Sequence, residues 1–390
     1  MEVTSNKDES KTPRADVLIP LLFVPGVYLV LIFSAVVALI IGGGLIGIIY
    51  YVFAHIFGRI PVGILLLLGL GVLVCFYAVL KGIISTIWRK PKFEPAVLID
   101  LDREPNLKNI ITHLCGQMNT KVPKSVIIHA LPTFYVQQGS LRVFNGKAKG
   151  RTLAIGLPLL YILSTNEFRA ILAHEFAHFT GRDTVYSSFV LPVYTGVIAA
   201  TSQMQSIIES AGEDNDNNSI WMSLPLLIPY YFLNTYLNIF HKKNMKLSKE
   251  REFRADDISA KTCGYNSFSN GLKKVVAVSG PFQGIYEYQI IETLKEGKVY
   301  NNYYSYFGDN IDKMASLFDE SLDTALKRSK DELSSHPTLS ERLSSAKKYD
   351  EKYEINDETA NNLIIDLDSY GNILTDNYTH LVAIINGYTN

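Results

Sequence analysis

Apolar residues run almost without interruption through positions 17–58, and again through 60–88, where Lys81 is the only charge. A membrane span needs about 20 apolar residues, so the second run predicts one crossing. The first is long enough for one tilted helix with an interfacial start around Pro20 and Pro25, or for two crossings hinged at Gly42-Gly43-Gly44. Two later runs, 185–208 and 220–240, are also apolar, and the stretch 209–219 between them carries Glu209, Glu213, Asp214 and Asp216 with no Lys or Arg. They predict a second hairpin that either spans the membrane or lies on it and lids a site. Between the two pairs, residues 93–163 alternate as a soluble α/β segment: a helix over 107–118, then strands at 125–129, 134–137, 141–144 and 153–155. One of these strands, just ahead of the helix that follows, is expected to be an edge able to hold an extended peptide by its main chain.

Charge adds orientation. Lys7, Lys11 and Arg14 precede the first run; Lys81, Arg89, Lys90 and Lys92 flank the end of the second; only Arg59 lies between. Arg182 precedes the later pair and Lys242, Lys243, Lys246 and Lys249 follow it. The positive-inside rule then puts these flanks in the cytosol, with the acidic tip outside. Gly43 and Gly47 form a G-x-x-x-G, read either as a helix–helix contact or as ordinary small residues. A formal net charge of −1 gives no global basic field, so nucleic acid is not an expected partner. Three dispersed cysteines form no disulfide framework and no C-x-x-C metal pair.

Candidate chemistry lies at His174-Glu175-Phe176-Ala177-His178, an H-E-x-x-H. Ser164-Thr165-Asn166-Glu167 has the S-x-x-E form of a capping box, and Phe168, Ile171, Leu172 and Phe179 give apolar helical spacing. On a helix, residues four apart share a face, so both imidazoles can grip one ion while Glu175 works on its water. Zinc suits this set, with three protein ligands and a fourth position left to water. Residues 248–263 read as a further helix, with Ser248 as N-cap and Gly264 as its stop. On it Glu252 and Asp256 share a face. Glu252 can supply the third ligand and Asp256 can accept the far N–H of a ligating histidine; the alternative is a charged, solvated face. His113 and His129 read as surface or satisfied histidines.

H-E-F-A-H with Asp183, then E-F-R-A-D, then Ser335-His336-Pro337 and Arg342, resembles the integral-membrane gluzincin metallopeptidases, the family of HtpX and the type I CAAX prenyl proteases. The resemblance runs from about residue 95 to 346. It implies a multi-pass α-helical membrane protein with a mostly helical α+β zincin-like domain. It also implies His174, His178 and Glu252 as Zn2+ ligands, Glu175 as general base, and Asp256, Asp183 and Arg342 around them. His336 would face the substrate oxyanion. This chain departs at Lys249, where many relatives have Arg, and at Pro132-Thr133, where they have Asn-Ala. Prenyl proteases enclose their site with seven helices, whereas about four are counted here, so the resemblance leans to an HtpX-like endopeptidase. Such an enzyme cuts protein or peptide substrates, membrane proteins among them, in quality control at the cytoplasmic face of the cell membrane. A prenyl-protein processing protease, a membrane-anchored protein with a merely structural zinc, and a transporter are the rival readings. His55, near a helix end, is the one candidate read for such a role, too little for a transporter. The implied layout is a cytosolic tail (1–16), a transmembrane hairpin (17–92), a first peptidase part (93–184), a second hairpin (185–240), a second peptidase part (241–346), and a linker and tail (347–390). Residues 266–334 are expected to cover the site from one side.

Overall fold

The computed structural model describes residues 14–87, 91–180, 190–213, 217–330, 336–350, 352 and 358–388. The chain divides into two compact units: residues 1–90 with 185–244, and residues 91–184 with 245–390.

In the first unit, the opening apolar run forms a single helix, Arg14–Ile56, continuous through Gly42-Gly43-Gly44. The alternative of two crossings hinged there is thereby corrected: three glycines cost about 1 kcal/mol each relative to Ala, too little to break a helix of 43 residues. Within it Leu22–Ile56 is long and apolar enough to cross a membrane. Helix Val62–Ile87 follows, with a shorter apolar stretch, Val62–Val74. The G-x-x-x-G at Gly43 and Gly47 makes no contact, since a Cβ at either would meet nothing within 4 Å. Close approach occurs at its neighbours instead. A Cβ on Gly42 would fall 2.6 Å from Val72, and one on Gly26 would collide with the Tyr236 hydroxyl. Helix Leu191–Glu213 and the part of helix Asn217–Cys263 up to Asn244 complete the unit, packing Val193, Val197, Leu233 and Phe240 around Phe23, Val27 and Leu31.

The second unit is built on a five-stranded sheet: β1 (Lys92–Phe93), β2 (Ala96–Ile99), β3 (Ser125–His129), β4 (Phe134–Val143) and β5 (Gly146–Gly156), in the order β1-β4-β5-β3-β2. The expected strands at 134–137 and 141–144 merge into β4, because Gly139 pairs with Gly150 and both take positive φ, keeping the ladder intact where a break was expected. β5, the strand just ahead of the motif helix, is interior, held by β4 on one side and β3 on the other. Besides the terminal strands β1 and β2, an open edge lies on β4, whose residues 134–140 pair with no strand beyond β5 among the described residues. Val97, Val126, Ile128, Leu153 and Ile155 face a helical core containing Leu107, Ile111, Phe168, Leu172 and Phe176. His129 is buried and satisfied, 3.3 Å from Glu94 and accepting from Leu131 N–H.

Helices Tyr265–Ser279, Phe282–Lys295 and Tyr303–Asp309 build the core behind the motif helix through Phe268, Phe282, Tyr286, Tyr303 and Phe307. The tail joins the same core. Helix Leu367–Ile385 buries Leu374, Tyr378 and Val382 in that core, and Tyr286 stacks between Tyr303 and Tyr378 at 4.0 and 5.0 Å. Fully buried Glu104 accepts the backbone N–H groups of Ile365 and Asp366, so its charge is compensated where the tail docks.

Candidate metal centre

The motif helix spans Thr165–Thr180. Its capping box is formed: Ser164 Oγ accepts from Glu167 N–H at 3.3 Å, and Glu167 Oε2 accepts from Ser164 N–H at 2.8 Å. Lys274 donates to the same carboxylate at 2.7 Å, and Gly271 lets its helix come within van der Waals contact of the Glu167 backbone. Phe168, Leu172 and Phe176 are buried on one face, which turns His174 and His178 to another. Their rings stand edge to face, 5.1 Å between centroids.

The opposing wall is the end of helix Asn217–Cys263. Ser248 is not an N-cap but an interior residue, since no Gly or Pro interrupts 230–263 and a Ser alone does not start a new helix inside a continuing one. Gly264, at φ +100°, is the stop, as its lack of a Cβ allows. Ser259 Oγ donates to Ala170 O at 2.6 Å and fixes this helix against the motif helix. Glu252 then lies 3.6 Å from His174 Nε2 and 4.0 Å from His178 Nε2. One donor atom from each of the three lies within 4.8 Å of the others.

The surroundings orient and charge these groups. Asp256, fully buried, has Oδ1 3.0 Å from His174 Nδ1, close but off the line of a good hydrogen bond. Arg342 grips Asp256 with two donors, Nε at 2.9 Å and an Nη at 2.6 Å, and its guanidinium also lies 3.4 Å from Glu252. The Arg342 helix, Leu339–Ala346, starts with a capping box between Thr338 and Glu341. Beyond it Tyr349 Oη and Lys348 Nζ both bind Asp257, at 2.8 and 2.7 Å. His336 Nδ1 lies 3.3 Å from Glu252, with its side chain 63% exposed. Asp183 and Ser335 lie outside the described residues.

Burial alone would raise the Glu252 carboxyl, but His336, His174, Arg342 and His178 around it hold it well below the usual carboxylate range. Asp256 is likewise lowered, with burial overcome by Arg342 and His174. Glu175 moves the other way. Loss of water raises its carboxyl, and the neighbouring Glu252 charge adds to this against the imidazoles and Arg342.

The donor set fits zinc. Two imidazole nitrogens and a carboxylate kept ionised are its usual catalytic ligands, and tetrahedral ligands at ~2.0–2.1 Å stand about 3.3–3.4 Å from one another. His174 Nε2 lies 3.6 Å from Glu252 Oε2 and His178 Nε2 lies 4.0 Å from Oε1, so the three side chains must draw together around an ion, starting from donor atoms already within 4.8 Å of one another. Ser259, Tyr349, Lys274 and Thr338 were not singled out from the sequence; of these only the T-x-x-E at Thr338–Glu341 carried a readable local signal.

The layout brings two imidazoles and a carboxylate on facing helices together as a donor set suited to a metal ion. The model of peptidase family M48 matches residues 103–350, and the chain belongs to that family. Among curated relatives, it is 23% identical over 263 residues to the Protease HtpX homolog of Campylobacter concisus, covering 66% of this chain and 78% of that one. It is 26% identical over 185 residues to the Protease HtpX of Pasteurella multocida, covering 46% and 60%. The match to the Protease HtpX homolog of Paenarthrobacter aurescens, 28% over 172 residues and 44% of this chain, spans only about half (54%) of that relative. The crystal structure of S. mikatae Ste24p superposes over 82% of this chain and 66% of that one at 14% identity, with a TM-score of 0.34, too low to bear on the fold.

Proposed function

We propose that this chain is a membrane-anchored zinc endopeptidase that hydrolyses peptide bonds in protein substrates. The observation that carries the reading is the convergence of His174, His178 and Glu252, from segments 74 positions apart (252 − 178), on one point beside Glu175. Zinc held there supplies Lewis acidity toward a carbonyl and a more acidic water.

The chain's own residues do the rest. Glu175, its carboxyl raised toward the range of a proton carrier, takes a proton from the attacking water and passes it to the leaving amine, a contribution of about 10²–10⁴-fold. His336, exposed beside Glu252, donates a hydrogen bond to the carbonyl oxygen as charge develops, worth about 3–4 kcal/mol for such donors elsewhere. Arg342 and Asp256 hold Glu252 and His174 in register, and the Arg342 guanidinium helps keep both carboxylates ionised. An extended substrate pairs with the open edge of β4, which packs on the motif helix through Phe134 and Phe168, 5.8 Å between rings.

Leu22–Ile56 is the anchor, the one described helix long and apolar enough to cross a membrane, and helix Val62–Ile87, with its shorter apolar stretch, is read as a second crossing. The lysine and arginine flanks set the peptidase unit in the cytoplasm at the cell membrane. This location favours membrane proteins as substrates and quality control as the role. The test is a zinc assay with cleavage of an unstructured protein in detergent. One zinc per chain and cleavage abolished by Glu175→Gln are expected; full cleavage by Glu175→Gln, or zinc retained after His174→Ala with His178→Ala, overturns the reading.

A further inference from the structure

Between Glu104 and Glu167 the sequence contains no acidic residue, yet it holds seven Lys and Arg in a chain of net charge −1. Two of the seven are engaged. Lys108 pairs with Asp102 at 2.7 Å, and Arg151 binds Thr120 and Lys121 O and lies over the Phe179 ring. The other five, Lys121, Lys124, Arg142, Lys147 and Lys149, are exposed, and no ion pair is formed by any of them among the described residues.

The β4–β5 hairpin gathers them. Arg142 sits directly opposite Lys147, and Lys149 follows two positions on, so three cations share one face. Lys124 extends that face, lying across Gly150 with its backbone N–H bonded to Arg151 O. Like charges directly opposite on a sheet destabilise it, and no carboxylate offsets them. Glu94 and Asp100 on the neighbouring segments are taken by Lys92 with His129 and by Arg103. Such a face is relieved by an anionic surface outside the chain.

Two further observations select the surface. The strand that pairs with Leu141 and Arg142 is β1, which begins only five positions after helix Val62–Ile87 ends. Its Phe93, 39% exposed beside Arg142 and set edge-on to Phe144 at 5.4 Å, adds an aromatic of the kind that settles at a headgroup boundary. We infer that the basic hairpin face Lys124–Arg142–Lys147–Lys149, with Phe93, docks on anionic phospholipid headgroups. The inference rests on the anchored reading above but not on zinc or proteolysis.

The experiment is hydrogen exchange on the full chain in nanodiscs of neutral lipid or with roughly one-third anionic phospholipid. Protection of hairpin amides at least about fivefold greater in anionic discs, lost in about 1 M salt where the screening length falls to about 3 Å, is expected. The triple variant Arg142→Glu, Lys147→Glu, Lys149→Glu should lose that protection while Leu22–Ile56 stays protected and the melting temperature holds. Equal protection in neutral discs, or protection given by an added oligonucleotide or acidic peptide and not by anionic lipid, overturns the inference. Exposure of Leu22–Ile56 in both discs would instead overturn the anchored reading. Should the triple variant fail to fold, single Lys149→Gln with a partial loss supports the inference, and no loss refutes it.

Discussion

Helix Thr165–Thr180 and the end of helix Asn217–Cys263 face each other across the candidate metal centre, but they are held in different ways. The first is specified locally: its cap, its apolar stripe and its two histidines lie within sixteen residues. The second wall is assembled. Glu252 is kept ionised by groups from three other segments, and Asp256 depends on Arg342, 86 positions away. A locally encoded wall tolerates change at its supports, because no single support carries it. An assembled wall fails when one long-range partner goes, because a buried charge is then stranded.

That contrast can be broken at several points. The largest effect is expected from Glu175→Gln on the local wall: cleavage falls by at least about 10²–10⁴-fold, with zinc content and melting temperature unchanged. Arg342→Ala on the assembled wall leaves Asp256 buried and unpaired and should cost about 3–5 kcal/mol in denaturant unfolding. A loss as small as that of a surface pair would show the wall to be less dependent on Arg342 than its geometry implies. Asp256→Asn keeps the shape but removes the charge beside His174, and a fall of about 10–100-fold in zinc affinity by competition titration is expected. The smallest change belongs to the local wall again. Ser164→Ala removes one cap bond and should cost about 1 kcal/mol with zinc affinity intact; an effect matching Arg342→Ala would erase the distinction.

The same division explains what could be read from the chain alone. The cap at Ser164 and the stop at Gly264 were legible because each rests on a few adjacent residues. The hydrophobic runs were legible as helices for the same reason. Where the sequence misled, a local signal was outvoted by neighbours not visible to it. Ser248 looked like a helix start and Gly139 like a strand end.

The period-four histidine pair, its capped helix, the apolar runs and the acid-free basic stretch are readable from the chain alone, since helix geometry, length and charge are properties of neighbours in the chain. Which carboxylate meets those histidines, where the last helix packs and which strand keeps an open edge emerge in three dimensions. Those outcomes depend on contacts between residues dozens to hundreds of positions apart, and they are fixed by packing and by the cost of burying a charge without its partner.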